Sequence, residues 1–145
     1  MARRAVALMR LHILARGRIG RGPEAELVAR YAVRLPNLSI TELGERELFP
    51  PSPERGVTVV LDERGPALAS VQFAQRLRAW RDDGVREACF LIGAADGHDP
   101  QTRAAADLLL SFGPATWPHL LVRAMLAEQL YRAETILGGY PYHRV

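Results

Sequence analysis

The chain of 145 residues has no lysine, one cysteine and no long apolar run. Its single Cys89 excludes an internal disulfide and lies in an apolar run, where a small core residue is expected. No apolar stretch approaches the roughly 20 residues that cross a bilayer. The first ten residues also lack the hydrophobic stretch and cleavage site of a signal peptide. These absences predict a cytoplasmic protein with no membrane partner.

Because lysine is missing, all 19 basic residues are arginines. A GC-rich coding bias explains most of this, but arginine also binds phosphate bidentately and stacks on bases. Six arginines precede Glu24, which is the first acidic residue: Arg3, Arg4, Arg10, Arg16, Arg18 and Arg21. The net charge is only +3, so the distribution of charge rather than its total indicates a nucleic-acid partner.

Strand and helix patterns alternate along the chain. Apolar or alternating runs predict strands at 11–15, 38–43, 57–61 and 88–93. Helical spacing, or a proline suited to a first turn, predicts helices from Pro23, over 67–81, from Pro100 through Leu110 and from Pro118 to about Leu137. The segment 44–56, rich in Glu, Arg, Pro and Ser, is the least structured. Helices between apolar strands predict an α/β fold, with a mainly parallel sheet covered by helices on both faces.

The loops after three apolar segments are the best candidates for a binding site, since ligands of parallel sheets bind outside the carboxyl ends of strands. The first loop follows Leu61, the second follows Ile92, and the third is the 112–117 segment. We expect them to converge on one pocket. The turn from Gly93 to Gly97 permits close backbone approach, but it is neither a GxGxxG fingerprint nor a Walker loop.

Three acidic residues, Asp62, Glu63 and Asp96, lie in these same loops. No histidine or cysteine joins them at the spacing of metal ligands. We therefore interpret them as residues of solvated turns and predict no metal site.

Five motifs occur in a fixed order, and they are specific in their spacing. They are Leu61-Asp62-Glu63-Arg64-Gly65, Leu91-Ile92-Gly93 followed by Asp96-Gly97, Thr116-Trp117-Pro118-His119 with Arg123, Glu128-Gln129-Leu130-Tyr131-Arg132-Ala133, and Tyr140-Pro141-Tyr142-His143-Arg144. Together they closely resemble the RlmH family of SPOUT-class methyltransferases, which modify N3 of a pseudouridine in large-subunit (23S) ribosomal RNA. The resemblance begins near Met9. Residues 1–8 are thus expected to be an extension or a misplaced start, and 9–145 a single SPOUT methyltransferase domain.

The resemblance implies a trefoil knot in the C-terminal half, a homodimer, and S-adenosyl-L-methionine as methyl donor. The substrate partner that it implies is 23S rRNA within the assembled ribosome. The donor contacts that it implies are Leu61, Gly93, Phe112, Gly113, Pro114, Ala115, Thr116 and Trp117. The backbone of the last six can recognise an adenine edge without charged side chains.

The candidate catalytic groups lie in the last helix and the tail. The acceptor imide nitrogen must lose a proton, and a nearby cation would stabilise the resulting anion. His119 is expected to hold donor or RNA, or to make only a local bond. Arg123 is expected to grip phosphate or base, or to be one more solvated arginine. We expect His143 to accept or relay the proton, Tyr142 to position the base by a hydrogen bond, and Arg144 to contact RNA.

Two residues depart from the Gly-Gly-Pro-Glu-Gly turn common in the family, namely Ala94 and Ala95. If position 94 requires a positive φ, alanine adds strain of about 1 kcal/mol or more. The departure keeps one alternative open, a non-catalytic RNA-binding or ribosome-assembly module. A SPOUT methyltransferase acting on another RNA base is a second alternative.

An apolar stripe on the last helix is expected to serve as core and, in a dimer, as interface. Its members are Leu120, Leu121, Ala124, Met125, Ala127 and Leu130.

Overall fold

The computed structural model describes residues 9–142. Its strands are β1 (Arg10–Arg16), β2 (Leu38–Leu43), β3 (Gly56–Leu61), β4 (Glu87–Ile92) and β5 (Leu108–Leu110). Its helices are α1 (Pro23–Ala32), α2 (Ser70–Asp82), α3 (Pro100–Ala104) and α4 (His119–Gly138). The expected extension at 1–8 and the tail residues His143 and Arg144 lie outside the described residues.

The five strands form one sheet in the order β2-β1-β4-β3-β5, and every neighbouring pair is parallel. This confirms the parallel sheet expected from the alternation of strands and helices. Because all strands run the same way, the loops that follow them emerge at one edge. We call it the carboxyl edge.

Helices cover the two faces of the sheet unequally. On one face, α2 and α4 contribute Phe73, Leu77 and Leu126 to a core that also contains Ile13 and Phe90. Helix α1 packs against α4. The other face carries a smaller cluster built on Leu14, Val60, Cys89 and Leu91, which is covered by Phe49 and by Ala106 after α3. Helices on both faces are thus confirmed, with the short α3 and the 44–55 segment sharing the second face.

The expected helix from Pro100 through Leu110 is wrong in its second half. Helix α3 ends at Ala104, and the chain then forms β5 beside β3. Asp107 anchors the start of β5 to β3. Its backbone amide donates to the Thr58 carbonyl at 2.8 Å, and its carboxylate accepts from the Thr58 amide at 2.7 Å. Three leucines in a row then extend the sheet more effectively than they would extend an exposed helix.

Helix α2 begins at Ser70, three residues later than the pattern predicts. Val71 near its start is 40% exposed, whereas Phe73 lies in the core. No helix within residues 9–142 is long and apolar enough to cross a membrane.

Candidate functional site

A cavity of about 380 Å³ lies at the carboxyl edge above β4, β3 and β5. The loops after these three strands line it together with the start of α4, which confirms that they converge. Seven of the eight residues expected to contact a donor line it: Leu61, Gly93, Phe112, Gly113, Ala115, Thr116 and Trp117. Pro114 is exposed and is not part of the lining. We call this cavity the edge pocket; the binding role of its residues stays a prediction.

Gly93 packs tightly against the far side of its own turn. A Cβ at Gly93 would lie 3.0 Å from the backbone carbon and oxygen of Gly97. Gly97, at φ +79°, donates its amide to the Ala94 carbonyl at 2.9 Å and closes the turn. Among residues 9–142, Arg55 is the one non-glycine with a positive φ. The strain expected if Ala94 required a positive φ therefore does not arise.

Two loops of the edge pocket are bonded to each other. Thr116 Oγ1 donates to Glu63 Oε2 at 2.7 Å, joining the loops after β3 and β5. Trp117 Nε1 donates to the Phe112 carbonyl at 3.2 Å, so the 112–117 segment also folds back on itself. These bonds give the pocket a defined wall.

Asp62 is not the solvated turn residue that the sequence predicts. Its side chain is 6% exposed and faces Arg64 Nε at 3.5 Å and Arg103 Nε at 3.3 Å. Glu63 and Asp96 are exposed, as expected. Within the described part of the chain, no group of three or more His, Cys, Asp or Glu residues is placed to hold a metal ion.

His98 also lines the edge pocket, and sequence reasoning missed it. Burial lowers the pKa of its imidazole below the ordinary value, which keeps the ring neutral near pH 7. The ring lies beside Phe49, with 5.7 Å between centroids. A single histidine before a helix start carries no motif, so no sequence signal distinguished it.

His119 is the first residue of α4 and lines the edge pocket, as expected from its place after the 112–117 loop. It also lies near the neighbouring loop, since a Cβ at Gly17 would be 3.9 Å from His119 Nε2. His119 thus stands between the pocket and the loop after β1.

Arg123, one turn further along α4, is neither solvated nor part of the pocket lining. It is 1% exposed. Its guanidinium donates to Glu42 Oε2 at 2.5 Å and to the Gly17 carbonyl at 3.1 Å. The Ile19 amide donates to the same Glu42 oxygen at 2.8 Å. Arg123 and then Ile19 hold the pKa of the Glu42 carboxyl below its usual range. Arg123 is buried because it points beneath the loop after β1, where the Glu42 carboxylate and the Gly17 carbonyl accept its hydrogen bonds.

Tyr142 packs on α1 and α4 of its own chain rather than in the edge pocket. Its hydroxyl donates to Glu128 Oε1 at 3.2 Å and lies 3.5 Å from the Tyr31 hydroxyl. Its ring meets Tyr131 edge-on, with 4.7 Å between centroids. Burial, followed by the hydrogen bond with Tyr31, raises the pKa of Tyr142 above its usual range.

Arg16 has a structural role rather than the free phosphate-binding role that the basic N-terminal segment suggests. One of its nitrogens donates to the carbonyls of Gly44, Glu45 and Glu47, at 2.9, 3.2 and 2.6 Å. Its guanidinium lies 4.3 Å from the centre of the Phe49 ring. Arg18 and Arg21, in the loop after β1, are exposed.

A second cavity, of about 240 Å³, lies between α1 and α4. Its lining is mainly apolar: Leu27, Tyr31, Phe112, Leu121, Ala124, Met125, Glu128 and Gln129. Leu130 and Ala127 of the expected stripe are buried, whereas Leu120, Leu121 and Met125 are only partly buried. We call this cavity the helix groove.

Comparison with known proteins gives consistent matches over nearly the whole chain. Residues 9–143 match the sequence model of a family described as "Predicted SPOUT methyltransferase". The protein called ribosomal RNA large subunit methyltransferase H in Novosphingobium aromaticivorans is 61% identical over 139 residues, which cover 94% of this chain and 99% of that protein. Proteins of the same name from Zymomonas mobilis and Paramagnetospirillum magneticum are 56% and 49% identical, with the same two coverages.

Proposed function

Because the chain belongs to the SPOUT methyltransferase family, we propose that it is an S-adenosylmethionine-dependent methyltransferase of large-subunit ribosomal RNA. The observation that carries this proposal is the edge pocket, which is built from the loops that the family resemblance assigns to the donor. The shared name of the relatives supports large-subunit rRNA as substrate. The resemblance of the motifs at 128–133 and 140–144 to the RlmH family supports N3 of a pseudouridine in 23S rRNA as the acceptor.

The residues of the edge pocket fit the donor in size and chemistry. A volume of about 380 Å³ lies within the range of small-molecule sites. Leu61, Phe112 and Trp117 offer apolar and aromatic surface for an adenine, and the 112–117 backbone offers amides and carbonyls to its edge. Exposed Glu63 and Asp96 complement the positive charge of a sulfonium compound. When bound, the donor supplies an electrophilic methyl group.

The chain's own part in the reaction is alignment and removal of one proton. Holding donor and acceptor in line supplies much of the acceleration of a displacement. His119, at the pocket and beside the loop after β1, is placed to orient either partner. We assign removal of the N3 proton to His143, positioning of the base to Tyr142, and an RNA contact to Arg144.

We further propose a homodimer that uses the helix groove and its partly buried leucines. Tyr142 lies on α1 and α4, away from the edge pocket of its own chain. This placement supports an arrangement in which the tail of one protomer completes the pocket of the other. A single domain over 9–145, a C-terminal trefoil knot and a cytoplasmic location at the ribosome belong to the same proposal.

The test is methyl transfer from labelled S-adenosylmethionine to assembled ribosomes purified from cells that lack this protein, with the two subunits separated after the reaction. We expect label in the large subunit and none in the small subunit. Label in neither, with the donor bound, would contradict the proposal and favour a non-catalytic RNA-binding role. Label in the small subunit alone would favour a different RNA.

A further inference from the structure

The carboxyl edge holds an ion pair of a buried arginine and a partly exposed glutamate beside the edge pocket, and the proposed chemistry leaves it without a role. Arg123 is buried, and it spans Glu42 at the end of β2 and Gly17 after the end of β1. Its Nε finds no hydrogen-bond partner within residues 9–142. Glu42 is therefore the anion that compensates this cation. The pair joins three segments that are far apart in the sequence, since 81 positions separate its two members.

Stability alone is a weak reason for such a pair. Removing a guanidinium from water carries a desolvation penalty that the attraction of one carboxylate offsets only in part, and apolar replacements are often as stable. The Glu42 side chain is also 38% exposed, so solvent screens the attraction. What the pair supplies is a fixed geometry, because the planar guanidinium of Arg123 directs hydrogen bonds to Glu42 and to the Gly17 carbonyl at once.

The segment whose geometry is fixed is the 17–22 loop. It contains three glycines, two of them at positive φ, Gly17 at +87° and Gly20 at +71°. Glycine leaves a loop with little stiffness of its own. The loop is held from outside instead: Arg123 binds the Gly17 carbonyl, and Glu42 binds the Ile19 amide.

The same loop carries exposed cations next to the edge pocket. Arg18 and Arg21 are both exposed, and Gly17 lies near His119, which lines the pocket: a Cβ at Gly17 would be 3.9 Å from His119 Nε2. The nearby Arg16 is bound to carbonyls of the 44–47 turn. Arg18 and Arg21 are therefore the arginines of this region that are available to phosphates.

We propose that Arg123 and Glu42 are positioning residues that fix the 17–22 loop, so that Arg18 and Arg21 meet rRNA phosphates beside the edge pocket. Neither member of the pair touches donor or acceptor. The inference rests on the proposed function for the identity of the RNA. It predicts that disturbing the pair weakens the use of ribosomal substrate and leaves the donor site intact, because the loops after β3, β4 and β5 line that site.

The test compares wild type with Glu42→Gln, which keeps the side-chain shape and removes the charge. Glu42 is partly exposed, so this variant avoids the folding risk of removing buried Arg123. We expect the KM for ribosomal substrate to rise about tenfold, with kcat and the donor Kd within about twofold. Hydrogen exchange at the Ile19 amide should accelerate. The matched control is Glu54→Gln, which removes the same charge from an exposed residue of the 44–55 segment.

A second arm tests whether the pair acts through the loop arginines. Arg18→Ala with Arg21→Ala should reduce the salt dependence of ribosome binding by about 1 unit of slope for each phosphate that is no longer bound. In the Glu42→Gln background the same two substitutions should have a smaller effect, because the loop is already displaced.

Several results would overturn the inference. If wild type is active, a KM for ribosomal substrate that is unchanged in Glu42→Gln would do so. A Glu42→Gln variant that loses only donor affinity or only stability would do so as well. Full additivity of Glu42→Gln with the loop substitutions would show that the two act separately. A wild type that transfers no methyl group to ribosomes would instead contradict the proposed function. In that case, hydrogen exchange at the Ile19 amide decides whether the pair fixes the loop. An exchange rate in Glu42→Gln equal to that of wild type would refute the inference.

Discussion

Thr116 Oγ1 donates a hydrogen bond to Glu63 Oε2, and this bond joins the loops after β3 and β5 beyond the point where Ser111 already donates to the Gly65 and Pro66 carbonyls. Glu63 follows β3 and Thr116 follows β5, so the bond crosses one wall of the edge pocket. Both side chains are exposed, which limits the strength of the bond while leaving it free to open.

Removing this bond should shorten the time for which the donor stays bound. Thr116→Val keeps the shape and deletes the hydroxyl, and a hydrogen bond of this kind contributes about 1 kcal/mol. We expect donor dissociation in stopped-flow measurements to accelerate about fivefold. Thr41→Val, on the exposed face of β2, is the matched control. Equal dissociation rates in the two variants would show that the bond does not retain the donor.

Adding one methyl group at Gly93 should distort the turn beneath the donor. The new Cβ would meet Gly97 backbone atoms at 3.0 Å, so the turn must shift. We expect Gly93→Ala to lower the free energy of unfolding by about 1–3 kcal/mol and to weaken donor binding in calorimetry. Gly44→Ala is the control, because its nearest new contact is 3.9 Å away. Unchanged donor affinity in Gly93→Ala would contradict the placement of the donor.

Substitution of Arg16 should affect stability, whereas substitution of Arg18 should affect RNA binding. Arg16→Ala removes three hydrogen bonds to carbonyls and the packing on the Phe49 ring. It should therefore lower the free energy of unfolding by about 1–2 kcal/mol. The slope of the ribosome-binding constant against salt concentration should stay unchanged. Arg18→Ala should leave stability unchanged and reduce that slope by about 1. The reverse pattern, read from denaturant unfolding and binding at several salt concentrations, would refute both assignments.

The Arg123–Glu42 pair should make stability depend on pH in the acid range. Its contribution is present above about pH 4.3, the pKa of glutamate in an unfolded chain, and is lost as pH falls through the lowered pKa of folded Glu42. We expect wild type and Glu42→Gln to differ in free energy of unfolding by a constant amount from about pH 6 to 8. The difference should vanish in more acidic solution. A difference that persists there would show that the charge of Glu42 is not its source.

The tail should be needed for transfer and not for donor binding. Truncation after Pro141 removes Tyr142, His143, Arg144 and Val145, and we expect it to abolish methyl transfer while donor affinity in calorimetry stays largely intact. A chain that lacks only Val145 is the control. Full activity of the longer truncation would rule out the roles assigned to all three residues.

The features that follow from local pattern were predictable from the sequence. The run from Leu38 to Leu43 alternates like a strand and is one, with the same bounds. The edge pocket followed from a general rule, because parallel strands bring their following loops to one edge. The leucines of β5 were misassigned, since three residues are too few to show a period.

The remaining features depend on contacts that local sequence does not encode. Arg123 looked like a surface arginine because its partner, Glu42, lies 81 positions away on another strand. Arg16 looked free because its carbonyl partners belong to a turn after β2. Both cases depend on long-range contacts of a guanidinium, with a carboxylate for Arg123 and with backbone carbonyls for Arg16, and such contacts become visible only in the folded chain.

The most direct measurement is nucleoside analysis of 23S rRNA from ribosomes of cells that lack this protein, before and after incubation with the protein and S-adenosylmethionine. We predict that 3-methylpseudouridine appears, in an amount approaching one per large subunit. Methylation of a different nucleoside, or no change while the donor is bound at the edge pocket, would contradict the proposed reaction.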